Sequence, residues 1–262
     1  IIDCHCHIYP DKIAQRAVKG IADFYDISMC YDGRYSTLLE SGEKIGVKHY
    51  IIFSVATTPH QVHSINTFIS QTVKSSGGIM SGLGTLHPDS ENIEQDIDEI
   101  IFSGLKGVKL HPDFQKFNID DKHAFELYEV IDNKLPILFH SGDKRYGYSS
   151  PERLASAVRQ FPKQRMIGAH FGGYTEVESA LKCLPDLPNV WVDSSSSLAF
   201  ISPEKAKECV KAYTEDRIFF GTDYPMWSAT DELRRIDRLE LTETAREKIF
   251  YRNICEFLGI TV

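Results

Sequence analysis

Short hydrophobic runs recur along the chain and alternate with longer amphipathic segments. Several runs, such as YIIF, PILF and RIFF, are apolar at nearly every position. Continuous runs of this length are typical of strands that are covered on both faces, as in parallel sheets. The pattern predicts eight strands, at Ile1–Ile8, Val47–Val55, Ile79–Leu86, Lys106–His111, Pro136–Ser141, Arg165–His170, Asn189–Ser194 and Arg217–Asp223.

The segments between these runs have helical patterns. Ile93, Ile97 and Ile100 recur at spacings of four and three residues, with acidic residues on the opposite face. Two other segments open with Ser-Pro-Glu, at Ser150 and Ser202. A serine N-cap followed by proline at the first helical position is a common helix start. A helix is therefore predicted in these connections between strands.

Eight β-α units fill the chain and no interdomain linker is visible. This organisation predicts a single α/β domain over residues 1–262, folded as a (β/α)8 TIM barrel. The alternative is a doubly wound open sheet, but no G-x-G-x-x-G follows the first strand. The longest β-α connection, Tyr9–Gly46, is rich in aromatic residues and is expected to form a lid or wall over the barrel mouth.

Composition narrows the classes of function. The 262 residues include 29 Lys and Arg against 37 Asp and Glu, a net charge of −8. The absence of a basic block argues against nucleic acid as a partner, and no apolar run has the length of a membrane span. The chain shows no signal peptide, and its six cysteines are expected to be reduced thiols. These features predict a cytoplasmic protein.

The ten histidines are distributed unevenly. In a barrel, functional residues lie at the carboxyl ends of the strands. Six candidate metal-binding or catalytic residues fall at these ends: His5, His7, His111, His140, His170 and Asp223. Imidazoles with one carboxylate and an open coordination position form the ligand set of a catalytic zinc or similar ion.

Alternation along the first predicted strand separates its side chains into two sets. His5 and His7 share one face, expected to be the barrel interior, and Cys4 and Cys6 share the other. The two thiols are therefore expected to pack towards the helices as small hydrophobic groups. Structural or solvent-exposed roles are expected for the five remaining histidines, which are His49, His60, His63, His87 and His123.

Several motifs along the chain carry a family resemblance. IDCHCH, GLKGVKLHPDFQ, ILFHSG, YSSPERL, IGAHFGG, WVDSSSS, FFGTDYP and NICEFLGI occur in order over nearly the whole sequence. Together they resemble the amidohydrolase superfamily, in its amidohydrolase-related branch of compact metal-dependent hydrolases and nonoxidative decarboxylases. The resemblance implies metal ligands at His5, His7, His140 and Asp223, and places His170 close to the reacting group.

The fourth predicted strand differs from that of some relatives. Binuclear members of the superfamily often have a carboxylated lysine or a glutamate there to bridge two ions. This chain has Lys109 and His111 on one face of the strand and lacks the glutamate. We expect a single ion, with Lys109 either structural or in contact with substrate, and His111 either in contact with substrate or supporting a metal ligand. A carboxylated Lys109 holding a second ion stays open. The missing glutamate and the acidic charge weigh against a nuclease.

Two chemistries fit the predicted site. A hydrolase would use a metal-activated water on a small amide, lactone or ester, with Asp223 as proton shuttle and His170 orienting the substrate. A decarboxylase would hold an aromatic or unsaturated acid, and Arg145 could bind a second carboxylate while Trp227 forms part of a wall. The resemblance slightly favours the hydrolase, because the decarboxylases of that family tend to carry longer loop insertions than this compact chain.

The sequence also gives expectations for the cofactor, the partner and the oligomeric state. The expected cofactor is one divalent ion, zinc in the first instance, with manganese, iron or cobalt also compatible. The expected partner is a small-molecule substrate. A homodimer stays open, because many relatives form dimers. A barrel that binds a metal or ligand without catalysis is disfavoured by the complete ligand set.

Overall fold

The computed structural model describes residues 1–262 and contains the eight predicted strands. Each strand is shorter than its predicted range, and several of them end where the chain turns at a candidate functional residue. His111 caps a short helix, whereas His170 and Asp223 have positive φ angles. The strands are β1 (Ile2–His7), β2 (His49–Phe53), β3 (two segments, Met80–Gly82 and Gly84–Thr85), β4 (Val108–Leu110), β5 (Ile137–Phe139), β6 (Met166–Gly168), β7 (Val190–Asp193) and β8 (Ile218–Phe219).

All strand pairs are parallel and follow the chain order. The two segments of β3 flank Leu83, whose amide donates to the carbonyl of Ile52 at 3.0 Å. The ring is completed between its first and last strands. Cys4 N donates to Phe220 O at 2.9 Å and His7 N donates to Tyr224 O at 2.8 Å. The protein is a single-domain TIM barrel, as predicted.

Helices surround the strands and supply the outer layer of the core. Apolar residues on the outward face of each strand pack against the helices in a cluster of 47 buried residues. No helix combines the length and apolar character needed to cross a bilayer. The α-helices are α1 (Asp11–Tyr25), α2 (Tyr35–Glu43), α3 (Val62–Ser75), α4 (Ile93–Phe102), α5 (Pro112–Gln115), α6 (Lys122–Ile131), α7 (Pro151–Gln160), α8 (Val177–Cys183), α9 (Pro203–Tyr213), α10 (Ala229–Asp237), α11 (Glu243–Glu247) and α12 (Asn253–Leu258).

The barrel interior is a second, smaller cluster of 12 buried residues, which α12 closes at the amino-terminal end. Cys4 belongs to this interior cluster, whereas Cys6 packs in the outer layer with the helices. The prediction that both thiols face the helices is therefore wrong for Cys4. The reason is a register shift between Asp3 and Cys6, where β1 pairs irregularly with β2 and strict alternation is lost.

Candidate metal centre

A cavity of about 560 Å³ opens at the carboxyl ends of the strands. This is the end at which TIM barrels place their functional residues. Five of the predicted site residues lie on the floor of this cavity. Helix α1, which belongs to the β-α connection predicted to cover the barrel mouth, forms part of the cavity wall. The five floor residues are His7, His111, His140, His170 and Asp223.

His5, His7 and Asp223 bring their ligand atoms within 4.8 Å of one another. Asp223 Oδ1 lies 3.4 Å from His5 Nε2 and 3.6 Å from His7 Nε2. His5 Nδ1 donates to Asp193 Oδ2 at 2.9 Å, so this ring nitrogen carries the proton. His5 Nε2 is left as a buried acceptor without a hydrogen-bond partner.

The carboxylate of Asp223 is held on one side only. Ser196 Oγ donates to its Oδ2 at 2.5 Å and in turn accepts from Trp227 Nε1 at 2.8 Å. Oδ1 is left facing the two histidines of β1. Ser196, which is itself held by Trp227, therefore orients Asp223.

Asp193, at the end of β7, connects the two sides of the site. Besides accepting from His5, its carboxylate accepts from the backbone amide of His170 at 3.2 Å and from Ser195 Oγ at 2.5 Å. His170 Nδ1 donates to the carbonyl oxygen of Ser195 at 3.0 Å. That carbonyl can only accept, so His170 Nε2 carries no proton and acts as a hydrogen-bond acceptor.

His140 lies on the neighbouring wall. Its Nδ1 is 3.2 Å from His170 Nε2, and its ring stacks on that of His111 at a centroid distance of 4.1 Å. Tyr25, from the end of α1, bridges the pair: its hydroxyl lies 2.8 Å from His111 Nε2 and 3.4 Å from His140 Nε2. Asp113 Oδ2 is 3.9 Å from His140 Nε2.

Burial determines the charge states of these imidazoles. Desolvation lowers the pKa of His5, His7 and His140 well below its usual value. It lowers the pKa of His170 to about 3. The rings are therefore neutral near pH 7, and neutral imidazole is the form that coordinates a metal ion. Burial raises the pKa of Asp223.

These residues fit a divalent cation. Two neutral imidazoles and one carboxylate oxygen converge, and one of the imidazole nitrogens is buried with no protein partner. An unpaired buried acceptor costs free energy unless a ligand satisfies it. Asp193 already holds His5 Nδ1, and Ser196 already holds Asp223 Oδ2. Hydrogen bonds of this kind, to the atoms that do not face the ion, orient the ligands of a metal site.

Three predicted substrate residues lie outside the cavity. Lys109 is buried in the barrel interior, with its Nζ 5.4 Å from the ring of Phe53, and burial lowers its pKa. Arg145 donates from Nε and Nη2 to Asp143 at 2.9 and 2.6 Å, so its fork is already filled. Trp227 contacts Ser196, as described above. The structure does not bring these three side chains to the cavity.

Some residues of the site were missed by sequence reasoning. Asp193 is the last residue of β7, and Asp223 similarly follows the end of β8. The position of Asp193 at a strand end could therefore have identified it as a candidate site residue. Tyr25 was expected in the covering connection but without a contact to the histidines. Asp113 is buried beside His140, and one of its oxygens has no hydrogen-bond partner. It follows the His-Pro pair in GLKGVKLHPDFQ, a position to which no role was given.

A sequence profile of the family described as Amidohydrolase matches residues 2–260. A search of curated proteins finds no match. Among solved structures, an uncharacterized TIM-barrel protein from Bordetella bronchiseptica aligns with a TM-score of 0.81 and 17% identity, covering 99% of this chain and 98% of its own.

Two further structures bear on chemistry. The 5-carboxyvanillate decarboxylase of Novosphingobium aromaticivorans, with bound manganese and 3-methoxy-4-hydroxy-5-nitrobenzoic acid, has a TM-score of 0.74 and 14% identity, over 99% of this chain and 97% of its own. A protein of Pseudomonas putida assigned as a 2-pyrone-4,6-dicarboxylic acid hydrolase has a TM-score of 0.69 and 17% identity, over 98% and 97%. At these identities the likeness shows the fold alone.

Proposed function

This chain belongs to the amidohydrolase family, and from that premise we propose that it is a metal-dependent hydrolase of a carbonyl substrate, an amide, lactone or ester. The ligands proposed for the ion are His5, His7, His140 and Asp223. The observation that carries the proposal is the one-sided tethering of His5 and Asp223. Each has one polar atom bonded to the protein and another directed at the same point.

When bound, a divalent ion would supply Lewis-acid activation of water and of the substrate carbonyl. Asp223 would take the proton of the attacking water and deliver it to the leaving group, and Ser196 would hold the carboxylate in position for both transfers. His170, whose unprotonated Nε2 lies 3.2 Å from His140 Nδ1, would hold that ring in its orientation beside the reacting group. Tyr25, whose hydroxyl reaches the paired rings of His111 and His140, would donate to a substrate oxygen.

Metal removal and reconstitution test this proposal. Hydrolysis of a panel of esters, lactones and amides should disappear after chelation and return on adding zinc or manganese. Asp223→Asn and His5→Ala should abolish turnover, whereas His123→Ala, at an exposed position, should leave it unchanged. No metal-dependent turnover on any member of the panel would contradict the proposal.

Decarboxylation is the second candidate, supported by the similarity to a decarboxylase with bound manganese and an aromatic acid. Aromatic rings surround the His111–His140 pair in this chain, among them Phe114 and Tyr174. In this reaction Asp223 or His170 would protonate the ring carbon as CO2 leaves. Release of CO2 from hydroxybenzoic acids, without hydrolysis of the ester panel, would replace the first proposal with this one.

We propose one ion per chain, with zinc as the expected metal. Manganese in the similar decarboxylase makes that ion the first alternative to test. Elemental analysis of the purified protein, followed by titration of the metal-free protein, would give identity and stoichiometry. Two ions per chain, both lost in Lys109→Met, would contradict the mononuclear proposal and support a carboxylated Lys109.

A further inference from the structure

We propose that the substrate carries an extended hydrophobic group, an alkyl chain or aryl ring, which lies in a groove between α1 and α3. This inference rests on the proposed function, because it places the reacting carbonyl at the metal centre. The groove is the part of the 560 Å³ cavity that leads away from the histidines. Large apolar pockets with few polar groups typically bind small apolar molecules.

Helix α1 presents two apolar stripes. Ala14 and Val18 form the buried stripe. Ile13, Ala17 and Ile21 form a second stripe, at spacings of four residues, and line the cavity. Ala17 and Ile21 are only partly buried, and Ile13 is 40% exposed. A stripe of this kind, facing a cavity that opens on the active centre, favours an apolar ligand.

The polar side chains of the opposite wall are already bonded within the protein. Gln61 Oε1 accepts from Thr57 N at 2.8 Å and from Thr57 Oγ1 at 3.0 Å. Ser64 Oγ donates to the carbonyl of Gln61 at 3.0 Å, and Ser54 donates to a backbone carbonyl. The hydroxyl protons of Ser54, Thr57 and Ser64 are therefore already donated within the protein, which leaves the Gln61 amide nitrogen as the free side-chain donor among these four residues. Ile65 and Phe68 of α3 complete this wall.

The groove is long enough for an extended group. Tyr25, at the carboxyl end of α1, lies at the histidine cluster, and Ile13 lies near the opposite end of the helix. At 1.5 Å per residue the stripe from Ile13 to Phe24 extends over about 16 Å. The one cationic side chain among the lining residues outside the histidine cluster is Arg16, at the outer part of this stripe. A single cation does not form the site of a polyphosphate or nucleotide.

A binding series tests the inference independently of turnover. Straight-chain carboxylates from acetate to decanoate would be titrated by calorimetry into the manganese-loaded protein. Each added methylene should lower Kd about fourfold until the groove is filled, because burial of a methylene from water is favourable. Equal Kd values along the series would overturn the inference. Since binding needs no chemistry, this outcome is distinct from the absence of metal-dependent turnover, which would overturn the proposed function.

A matched pair of variants locates the effect. Ala17→Trp places a large side chain in the groove, whereas Gln15→Trp adds the same side chain at an exposed position of α1 outside the cavity lining. We expect Ala17→Trp to lose the dependence of Kd on chain length while acetate binds as before. Gln15→Trp should keep the full dependence. Retention of that dependence in both variants, with unchanged unfolding temperatures, would show that the groove is not the binding site.

Discussion

Several side chains of the centre stand on residues with unusual backbone angles. His170, Ser196 and Asp223 have φ of 62°, 57° and 57°. Residues other than glycine rarely adopt positive φ, and each such residue costs about 1–3 kcal/mol. Here the turns after β6, β7 and β8 carry these angles and direct the three side chains into the site. The strain at these three residues raises the free energy of the folded state, so the candidate site is locally less stable than an unstrained backbone would be.

Ser196 offers a direct measurement of this cost. Ser196→Ala and Ser196→Gly remove the same hydroxyl and its bonds to Asp223 and Trp227. Only glycine tolerates φ of 57° with ψ of −45° without strain. We expect Ser196→Gly to unfold with a free energy about 1–2 kcal/mol higher than Ser196→Ala, measured by urea denaturation. Equal stabilities would mean that the backbone at this position is not strained.

Asp193 is expected to act on the metal through His5. Asp193→Asn removes the charge that holds His5 Nδ1–H while keeping a similar shape. Loss of such an outer partner typically weakens metal affinity about 10- to 100-fold. Titration of the metal-free protein with manganese would measure this change in metal affinity. Asp186→Asn, at an exposed carboxylate, serves as the control. Unchanged affinity in Asp193→Asn would exclude the positioning role.

The sequence predicted positions at strand ends better than the partners of charged side chains. His5, His7 and Asp223 come together because strand-end residues of a closed barrel must share one mouth. The substrate role given to Arg145 overlooked Asp143, two residues away, which pairs with its guanidinium. The position of a residue along a strand determines at which end of the barrel it lies. Which charged side chains form ion pairs depends on their rotamers, and hydrophobic periodicity carries no information about rotamers.

Helix α1 is attached to the barrel through the loop after β5. Arg145 Nη1 donates to the carbonyl of Phe24 at 2.7 Å, and its guanidinium lies over the rings of Phe24, Tyr25 and Tyr146. Asp143 anchors the same guanidinium and is itself fully buried. The carboxyl end of the helix, and with it Tyr25, is therefore fixed against the histidine pair.

Removing this attachment should release the end of α1. Arg145→Met leaves the buried charge of Asp143 unpaired, and we expect a loss of about 2 kcal/mol, because the guanidinium is partly exposed. Amide exchange should accelerate at the last turn of α1. Adding Asp143→Asn should recover part of the stability, and Lys144→Met should have no effect. Unchanged exchange in Arg145→Met would show that the arginine does not hold the helix.

The element that the sequence described least well is β1. Alternation correctly predicted that Cys6 faces the helices, but the irregular pairing with β2 turns Cys4 inwards beneath His5. A β-bulge depends on the register in which two strands pair. That register is determined by residues that are distant in sequence, so the pattern of one strand does not predict it. One extra residue changes the face of every side chain on one side of it.

The candidate centre joins the first strand of the barrel to the turn after the last. Binding of an ion only to the native state stabilises the protein by mass action, about 2.7 kcal/mol at a concentration 100 times Kd. We expect the unfolding temperature of the metal-free protein to rise when manganese or zinc is added and to fall again with a chelator. Asp223→Asn should show no such rise. An equal rise in that variant would place the stabilising ion elsewhere.

The backbone bonds between β1 and the chain after β8 also have a consequence for synthesis. Asp3 and Thr222, whose side chains bond at 2.6 Å, are separated by 219 residues, and the histidines of β1 leave the ribosome long before Asp223. During translation these imidazoles have no carboxylate to share an ion with, and the first strand has only β2 as a neighbour in the sheet. The proposed ligand set is complete only once Asp223 has been synthesised, so a nascent chain would not yet hold the ion that we propose for the finished protein.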